Sequence, residues 1–215
     1  MTPSVARAER FRIAVFAKAP VPGAVKTRLA PLLGADGAAA LHAGLLRHAL
    51  GAATASDVGS VELWCAPDER HSFFERCATE FAVRLRRQEG ADLGSRMRHA
   101  FEDAFSAGDA LIVIGSDCPV LGAAELRGAA EALRRHDAVI APAEDGGYVL
   151  VGLVRSIPQL FEGIAWGGSA VMGQTRARLG ELRIEWKELA TSWDVYRPED
   201  YSRLQREGLL EEVMS

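Results

Sequence analysis

Short apolar runs alternate along the chain with longer stretches in which apolar residues recur every three or four positions. That order predicts a layered α/β fold, because the apolar runs make strands and the longer period makes helices that cover them. The run at 13–16 is apolar on both faces and predicts a central strand. A loop over 17–33, rich in proline and glycine, follows it. Ala38, Leu41, Leu45, Ala49 and Ala52 then trace one stripe of a helix. A strand is expected at 61–65 and a short helix at 69–78. Phe81, Val83 and Leu85 alternate with Ala82, Arg84 and Arg86, the pattern of a strand with one wet face lying near an edge. Next come a helix at 92–107, the most hydrophobic strand at 111–114, a helix at 123–135 and a strand at 138–141. After the turn Glu144-Asp145-Gly146-Gly147, the run 148–154 is expected to pair antiparallel beside that strand. A helix at 168–179, a short strand at 183–186 and a helix at 198–206 opened by Pro198 complete the pattern. The expected architecture is a three-layer α/β domain with a mixed, mostly parallel sheet and helices on both faces. One domain is expected over 11–208, with 1–10 and 209–215 as tails.

Composition narrows the class without naming a function. The 215 residues are 48% hydrophobic and 25% charged with a net charge of -4, the profile of an ordinary globular protein. No basic field is present to recruit nucleic acid, and no apolar run is long enough to span a membrane. The first ten residues lack the apolar stretch of a signal peptide, so a cytoplasmic location is expected. Cys65, Cys77 and Cys118 are odd in number and lack paired zinc spacing, which argues against a disulfide framework or a structural zinc.

In open α/β sheets ligands bind beyond the carboxyl ends of the strands, so polar residues just after the apolar runs are the candidates. Lys18, Lys26 and Arg28 leave the first strand with Gly23 and no carboxylate among them, a combination suited to phosphate groups. A solvated surface loop is the competing reading. Ser116 and Asp117 follow the most hydrophobic strand. A carboxylate fixed there is a natural ligand for magnesium, which takes only one or two carboxylates and fills its other positions with water and phosphate oxygens. Asp117 as a simple cap is the alternative. Glu144 and Asp145 stand in a tight turn at the same edge, as candidates for acceptor binding or general-base work beside the bland reading of a hairpin turn. Asp194 precedes the last helix, whereas Glu199 and Asp200 are explained by the helix dipole. Trp166, in a glycine-rich loop, is suited to contact a base or sugar, or simply to packing. The five histidines, at 42, 48, 71, 99 and 136, show no metal-ligand pairing and are read as surface or partly buried residues, not catalysts.

Taken together, Phe-Ala-Lys-Ala-Pro-Val-Pro-Gly-x-Val-Lys-Thr-Arg-Leu, Gly-Ser-Asp-Cys-Pro and Pro-Ala-Glu-Asp-Gly-Gly-Tyr resemble a bacterial glycosyltransferase-like family associated with arsenosugar biosynthesis. That family is similar to the GT-A type nucleotide-diphospho-sugar transferases, a superfamily that also includes molybdopterin and phospholactate guanylyltransferases. The resemblance implies a GT-A fold and use of Mg or Mn. It implies that Lys18, Gly23, Lys26, Arg28 and Ser116 meet the nucleotide phosphates and that Asp117 binds the metal. Gln88, Gly90, Asp92 and Arg96 would face the nucleotide, while Glu144, Asp145, Gly146, Gly147, Tyr148 and Trp166 would face the acceptor. Lys26 and Asp145 would carry catalytic roles. The chain departs from the family pattern at Tyr196, where the family has a second metal-binding Asp; Asp194 two residues earlier, or else water or substrate, is expected to fill that place. It departs again at Trp166-Gly167-Gly168-Ser169, where the family has Trp-Ser-Thr. The expected function is a metal-dependent transferase using a nucleotide sugar and a small-molecule acceptor. A nucleotidylyltransferase that takes a nucleoside triphosphate and releases pyrophosphate is the alternative, and a nucleotide-binding protein without catalysis is a third.

Overall fold

In the computed structural model, which describes residues 10–215, the apolar alternation of the strands sorts the core into two layers. Along β1 (Phe11–Lys18), Ile13, Val15 and Ala17 enter one apolar cluster, while Ala14 and Phe16 enter another. The same split runs through β4 (Ala110–Gly115), with Ile112 and Ile114 on one face and Leu111 and Val113 on the other. A strand apolar on both faces must be covered on both sides, and helices do so. The first face carries α1 (Ala30–Ala55), α2 (Ser72–Phe81) and α4 (Ala123–Leu133), through residues such as Leu50, Phe74 and Leu126. The second carries α3 (Leu93–Ser106) and α5 (Val171–Glu181), through Phe101, Met172 and Leu179. A 3-10 turn at Pro158–Phe161 lies on that second face.

The remaining strands are β2 (Ser60–Ala66), β3 (Arg84–Arg87), β5 (Ala138–Pro142), β6 (Tyr148–Leu153) and β7 (Trp186–Glu188). They complete a seven-stranded sheet ordered β3-β2-β1-β4-β6-β5-β7. Only β6 runs against its neighbours, pairing antiparallel with β4 and β5, so the sheet is mixed and mostly parallel as expected. β1 pairs parallel with β2 and β4, β2 with β3, and β5 with β7. The carboxyl ends of six strands and the amino end of β6 therefore lie along one edge, and the β5–β6 turn opens there too.

Four expectations shift, each for a local reason. α1 begins at Ala30, ahead of the anticipated loop end, and breaks at Gly34, whose φ of 73° lies outside the helix. α2 runs on to Phe81 and ends on Ala82 in the left-handed region, so β3 starts only at Arg84, still as an edge strand. Arg183, also left-handed with φ 53°, delays β7 to Trp186. The segment expected as a C-terminal tail contains α7 (Leu209–Met214), whose Val213 is buried with Leu41 and Leu45 of α1. α6 (Pro198–Arg206), Trp193 and Val195 join this third cluster. The expected N-terminal tail, apart from Arg10, lies outside the described residues.

Candidate nucleotide site at the carboxyl edge

Beyond β1 the chain turns sharply at 19–29 instead of entering a helix directly. Gly23 takes φ 78°, and Lys26 takes φ 47°, a left-handed conformation that costs an L-residue about 1–2 kcal/mol. The strain has a visible consequence. The Lys26 side chain, only 3% exposed, is directed inward and its Nζ lies 2.7 Å from Asp117 Oδ1. The same ammonium donates to the carbonyl of Val195. Among the described residues, the backbone amides of Val25, Lys26, Thr27 and Arg28 donate to no acceptor. Successive unpaired N–H groups in a turn with a left-handed residue form an anion-binding concavity.

Asp117 follows β4, and its carbonyl accepts the Val195 amide at 2.9 Å, which ties the 193–197 segment to the same edge. Burial opposes ionisation of the Asp117 carboxyl, but Lys26 and His42 outweigh it and hold the group well below the usual carboxylate range. The opposite happens at Asp194. Burial pushes its carboxyl up to about 7, the charges of Asp117, Asp145 and Asp200 add to the rise, and Lys26 opposes it. One acid of the pair is thus fixed as a carboxylate while the other titrates near neutrality.

His42 corrects the sequence reading of the histidines. It projects from α1 into the site, 4% exposed. Its Nε2 lies 2.9 Å from the Lys18 carbonyl, so that nitrogen must carry a proton. The other ring nitrogen, Nδ1, faces Asp117 Oδ1 at 3.6 Å and has no hydrogen-bond partner. The signal for it was present, since His42 falls four residues after Ala38 on the buried stripe of α1.

These groups border a cleft of about 470 Å3, lined by Lys18, Lys26, Thr27, His42, Gln88, Leu93, Arg96, Ser116, Asp117 and Tyr196 among others. Gln88 donates its side-chain amide to the carbonyls of Ala17 and Trp64, at 3.2 and 2.7 Å. Both amide hydrogens are thereby used, and the side-chain oxygen stays available to accept. Arg96 is held by the Gly90 carbonyl at 3.1 Å. Gly90 must be glycine, with φ 138° and a Cβ that would fall 2.5 Å from Ser95 Oγ. A contiguous hollow of about 510 Å3 shares Gln88 and Arg96 and adds Arg87 and Glu89. Asp92, in contrast, caps α3 by accepting the Ser95 amide at 2.7 Å and does not border the cleft. Arg28 does not itself border the cleft, but its Cζ lies 4.3 Å from the centre of the ring of Tyr196, which does.

The residues expected to meet an acceptor are brought together less tightly. Glu144 is bound by Arg203 at 3.0 and 3.1 Å, and that guanidinium lies 4.3 Å over Trp193. Asp145 Oδ1 accepts the Gly147 amide at 2.9 Å, closing the turn on itself, while the residue stays exposed. Gly146 has φ 89°, and a Cβ there would fall 2.2 Å from the Ser169 carbonyl oxygen, so the turn is docked on the segment that opens α5. Tyr148 and Trp166 meet edge to face at 6.3 Å and pack against the second core cluster. Gly94 makes room for that indole, because a Cβ on it would fall 2.3 Å from Trp166 Nε1.

Two carboxylates, Asp117 and Asp194, suit a small hard divalent cation that leaves its other positions to water and phosphate oxygens. Among the described residues no group of three or more His, Cys, Asp or Glu is arranged to hold a metal by itself. A cation there would complete its shell with water or phosphate oxygens, and Lys26 supplies the countercharge otherwise.

A mixed α/β sheet with cations, unpaired amides and a fixed aspartate at its carboxyl edge defines a protein of the GT-A type, nucleotide-diphospho-sugar transferase-like superfamily. The chain belongs to the family described as "Uncharacterized protein conserved in bacteria (DUF2064)", whose model matches residues 46–168. No curated protein matches the sequence. A solved structure from Desulfovibrio desulfuricans G20, assigned as a nucleotide-diphospho-sugar transferase, is 29% identical with a TM-score of 0.81, covering 94% of this chain and 97% of that one. A nucleotidyl transferase from Methanothermobacter is 16% identical with a TM-score of 0.66, over 95% and 99% of the two chains. The 4-diphosphocytidyl-2C-methyl-D-erythritol synthase of Anaerococcus prevotii is 10% identical with a TM-score of 0.63, over 92% and 96%. The last two likenesses are of fold alone. No helix among the described residues is long and apolar enough to cross a membrane.

Proposed function

We propose that the chain is a metal-dependent transferase that takes its donor group from a nucleotide. One observation carries this reading: four unpaired amides at 25–28 and the buried Lys26 ammonium stand beside Asp117 in a single cleft. Neutral amides, a fixed cation and a fixed carboxylate together suit a phosphate chain, since the first two bind its oxygens and the third can share a cation with them. Gln88 and Arg96, at the other end of the cleft and in the adjoining hollow, would hold the base and ribose. Asp145, exposed beside the cleft, would orient the acceptor hydroxyl and take its proton. Glu144 is the weaker candidate for that task because Arg203 holds it.

When bound to Asp117 and Asp194, Mg or Mn would neutralise charge on the departing phosphate. Lys26 and the amides of 25–28 would stabilise the same developing charge from the protein side, in a geometry fixed before substrate arrives. In the first reading the donor is a nucleotide sugar and the product is a nucleoside diphosphate, which the likeness to the Desulfovibrio protein favours. In the second, a nucleoside triphosphate is attacked at its α-phosphorus and pyrophosphate leaves. The number of cations around the loop favours that version, since Lys18, Lys26 and Arg96 line one cleft and Arg28 stacks on Tyr196 at its border. A cytoplasmic setting belongs to both. The association with arsenosugar biosynthesis contributes one acceptor class to assay.

The test joins binding to product analysis. A ligand near a hundred times its dissociation constant adds roughly 2.7 kcal/mol, visible as a raised thermal midpoint. Nucleoside diphosphates, triphosphates and nucleotide sugars are screened with and without Mg or Mn on the parent and on Asp117→Ala. The proposal expects one nucleotide class to stabilise the parent in a metal-dependent way that Asp117→Ala loses. Released nucleoside diphosphate then supports glycosyl transfer and released pyrophosphate supports nucleotidyl transfer. Binding without turnover would favour a nucleotide-binding protein, and no binding at all would overturn the assignment.

A further inference from the structure

Tyr196 is an exposed aromatic that the fold holds still. The residue lines the cleft and is 45% exposed, yet its backbone is fixed on both sides. Asp200 Oδ2 accepts the amides of Tyr196 and Arg197 at 2.9 and 2.6 Å, while Val195 is bound to the carbonyl of Asp117 and to Lys26. Arg28 lies over that ring, and among the described residues its guanidinium meets no carboxylate and no carbonyl. It is held by an aromatic face, which orients the planar cation while leaving its five N–H groups along the edge free for a ligand. It stands at the end of the run of unpaired amides, two residues beyond Lys26.

We propose that Tyr196, which borders the cleft, is the positioning residue for Arg28, and that the stacked pair forms a phosphate clamp beside the cleft. The clamp takes the outer phosphate of a nucleoside triphosphate, or inorganic pyrophosphate, through N–H···O bonds that need no divalent cation. This deepens the nucleotidyl-transfer version of the proposed function and rests on it. A carboxylate at 196 would occupy the guanidinium and abolish the clamp. A plain aromatic ring would keep it.

The experiment is titration calorimetry of the full chain with inorganic pyrophosphate in EDTA, with a nucleoside monophosphate as the control ligand because it carries no outer phosphate. Arg28→Ala is expected to weaken pyrophosphate about 10- to 100-fold, the range for a lost charge-assisted hydrogen-bond pair. Tyr196→Ala is expected to weaken it about 2- to 5-fold, the worth of an exposed cation–π contact. Tyr196→Phe should bind as the parent does, and Tyr196→Asp should bind as poorly as Arg28→Ala. Monophosphate affinity should stay constant across the set. The clamp is overturned if Tyr196→Ala binds pyrophosphate like the parent, if Tyr196→Phe loses as much as Tyr196→Ala, or if monophosphate weakens in parallel. A parent that binds the monophosphate but not pyrophosphate overturns the clamp and leaves the proposed function standing, whereas a parent that binds no nucleotide with or without metal overturns both.

Discussion

Replacing Lys26 with methionine keeps the apolar stem and removes an ammonium that lies 2.7 Å from Asp117 Oδ1 and hydrogen-bonds the Val195 carbonyl. Breaking a fully buried ion pair costs about 3–5 kcal/mol. The lysine side chain is 3% exposed but that of Asp117 is 41% exposed, so water recovers part of the stranded carboxylate's solvation. The expected loss is therefore about 1–2 kcal/mol, between the buried and surface limits. The backbone adds a separate term. With φ 47° at position 26, Lys26→Gly relieves left-handed strain that Lys26→Ala retains, so the glycine variant should be the more stable by about 1 kcal/mol although both lose the same charge. Urea unfolding at pH 7.5 separates these terms, and the same curves with added magnesium test the site. Without the ammonium, Asp117 and Asp194 lack their countercharge, and magnesium should raise the midpoint of Lys26→Met more than that of the parent. Unchanged stability in Lys26→Met, or equal midpoints for the alanine and glycine variants, would refute the account of the lysine. An equal response to magnesium would refute Asp117 as a metal ligand and leave the ion pair intact.

Asp194 gives a pH signature. A carboxyl raised from 3.8 to about 7 on folding contributes stability that is fully present below the unfolded value and is lost as pH rises toward 7. Asp194→Asn should match the parent near pH 4 and unfold at higher urea at pH 8, and a constant difference over that window would show that the group does not titrate there. Gly146→Ala places a Cβ 2.2 Å from the Ser169 carbonyl at a backbone φ of 89°, which should cost about 2–3 kcal/mol in urea unfolding; a neutral variant would mean the turn is not docked on that segment. Burial pushes the thiols of Cys65 and Cys118 up to about 12 and that of Cys77 up to about 11. Iodoacetamide at pH 8 should leave all three unlabelled until the chain is unfolded, and rapid labelling of any one by mass spectrometry would reveal local opening.

What could be read from the sequence divides according to how local its cause is. The two-faced burial of β1 and β4 was legible because consecutive apolar residues have nowhere to go but between two covered faces. The antiparallel return of β6 was legible because only a short turn separates it from β5. Boundaries at Gly34, Ala82 and Arg183 were not, since each depends on one residue entering the left-handed region, which alanine and arginine seldom do. At the site, Asp117 was legible from its place after a buried strand. The Glu144–Arg203 pair was not, because its members lie 59 residues apart and meet only when α6 returns over the edge. Asp92 shows a local cause of another kind, since the Asp-x-x-Ser spacing makes it the cap of α3 while it does not border the cleft.

Lys26 combines both kinds of information. Its charge and its position after the first strand were enough to suggest phosphate binding, but nothing in Val-Lys-Thr announces that the side chain turns inward. That direction follows from a single backbone angle, and the backbone holds it because the ammonium gains Asp117 and Val195 in return. The turn that buries Lys26 also leaves the amides of 25–28 unpaired, so the strain at one residue and the anion-binding character of its neighbours have a common origin. If that is the cause, relieving the strain should loosen the cradle. Lys26→Gly should then lose more anion affinity than Lys26→Met, despite the glycine's compatibility with the turn, because a flexible residue no longer fixes the adjoining N–H groups before the ligand arrives.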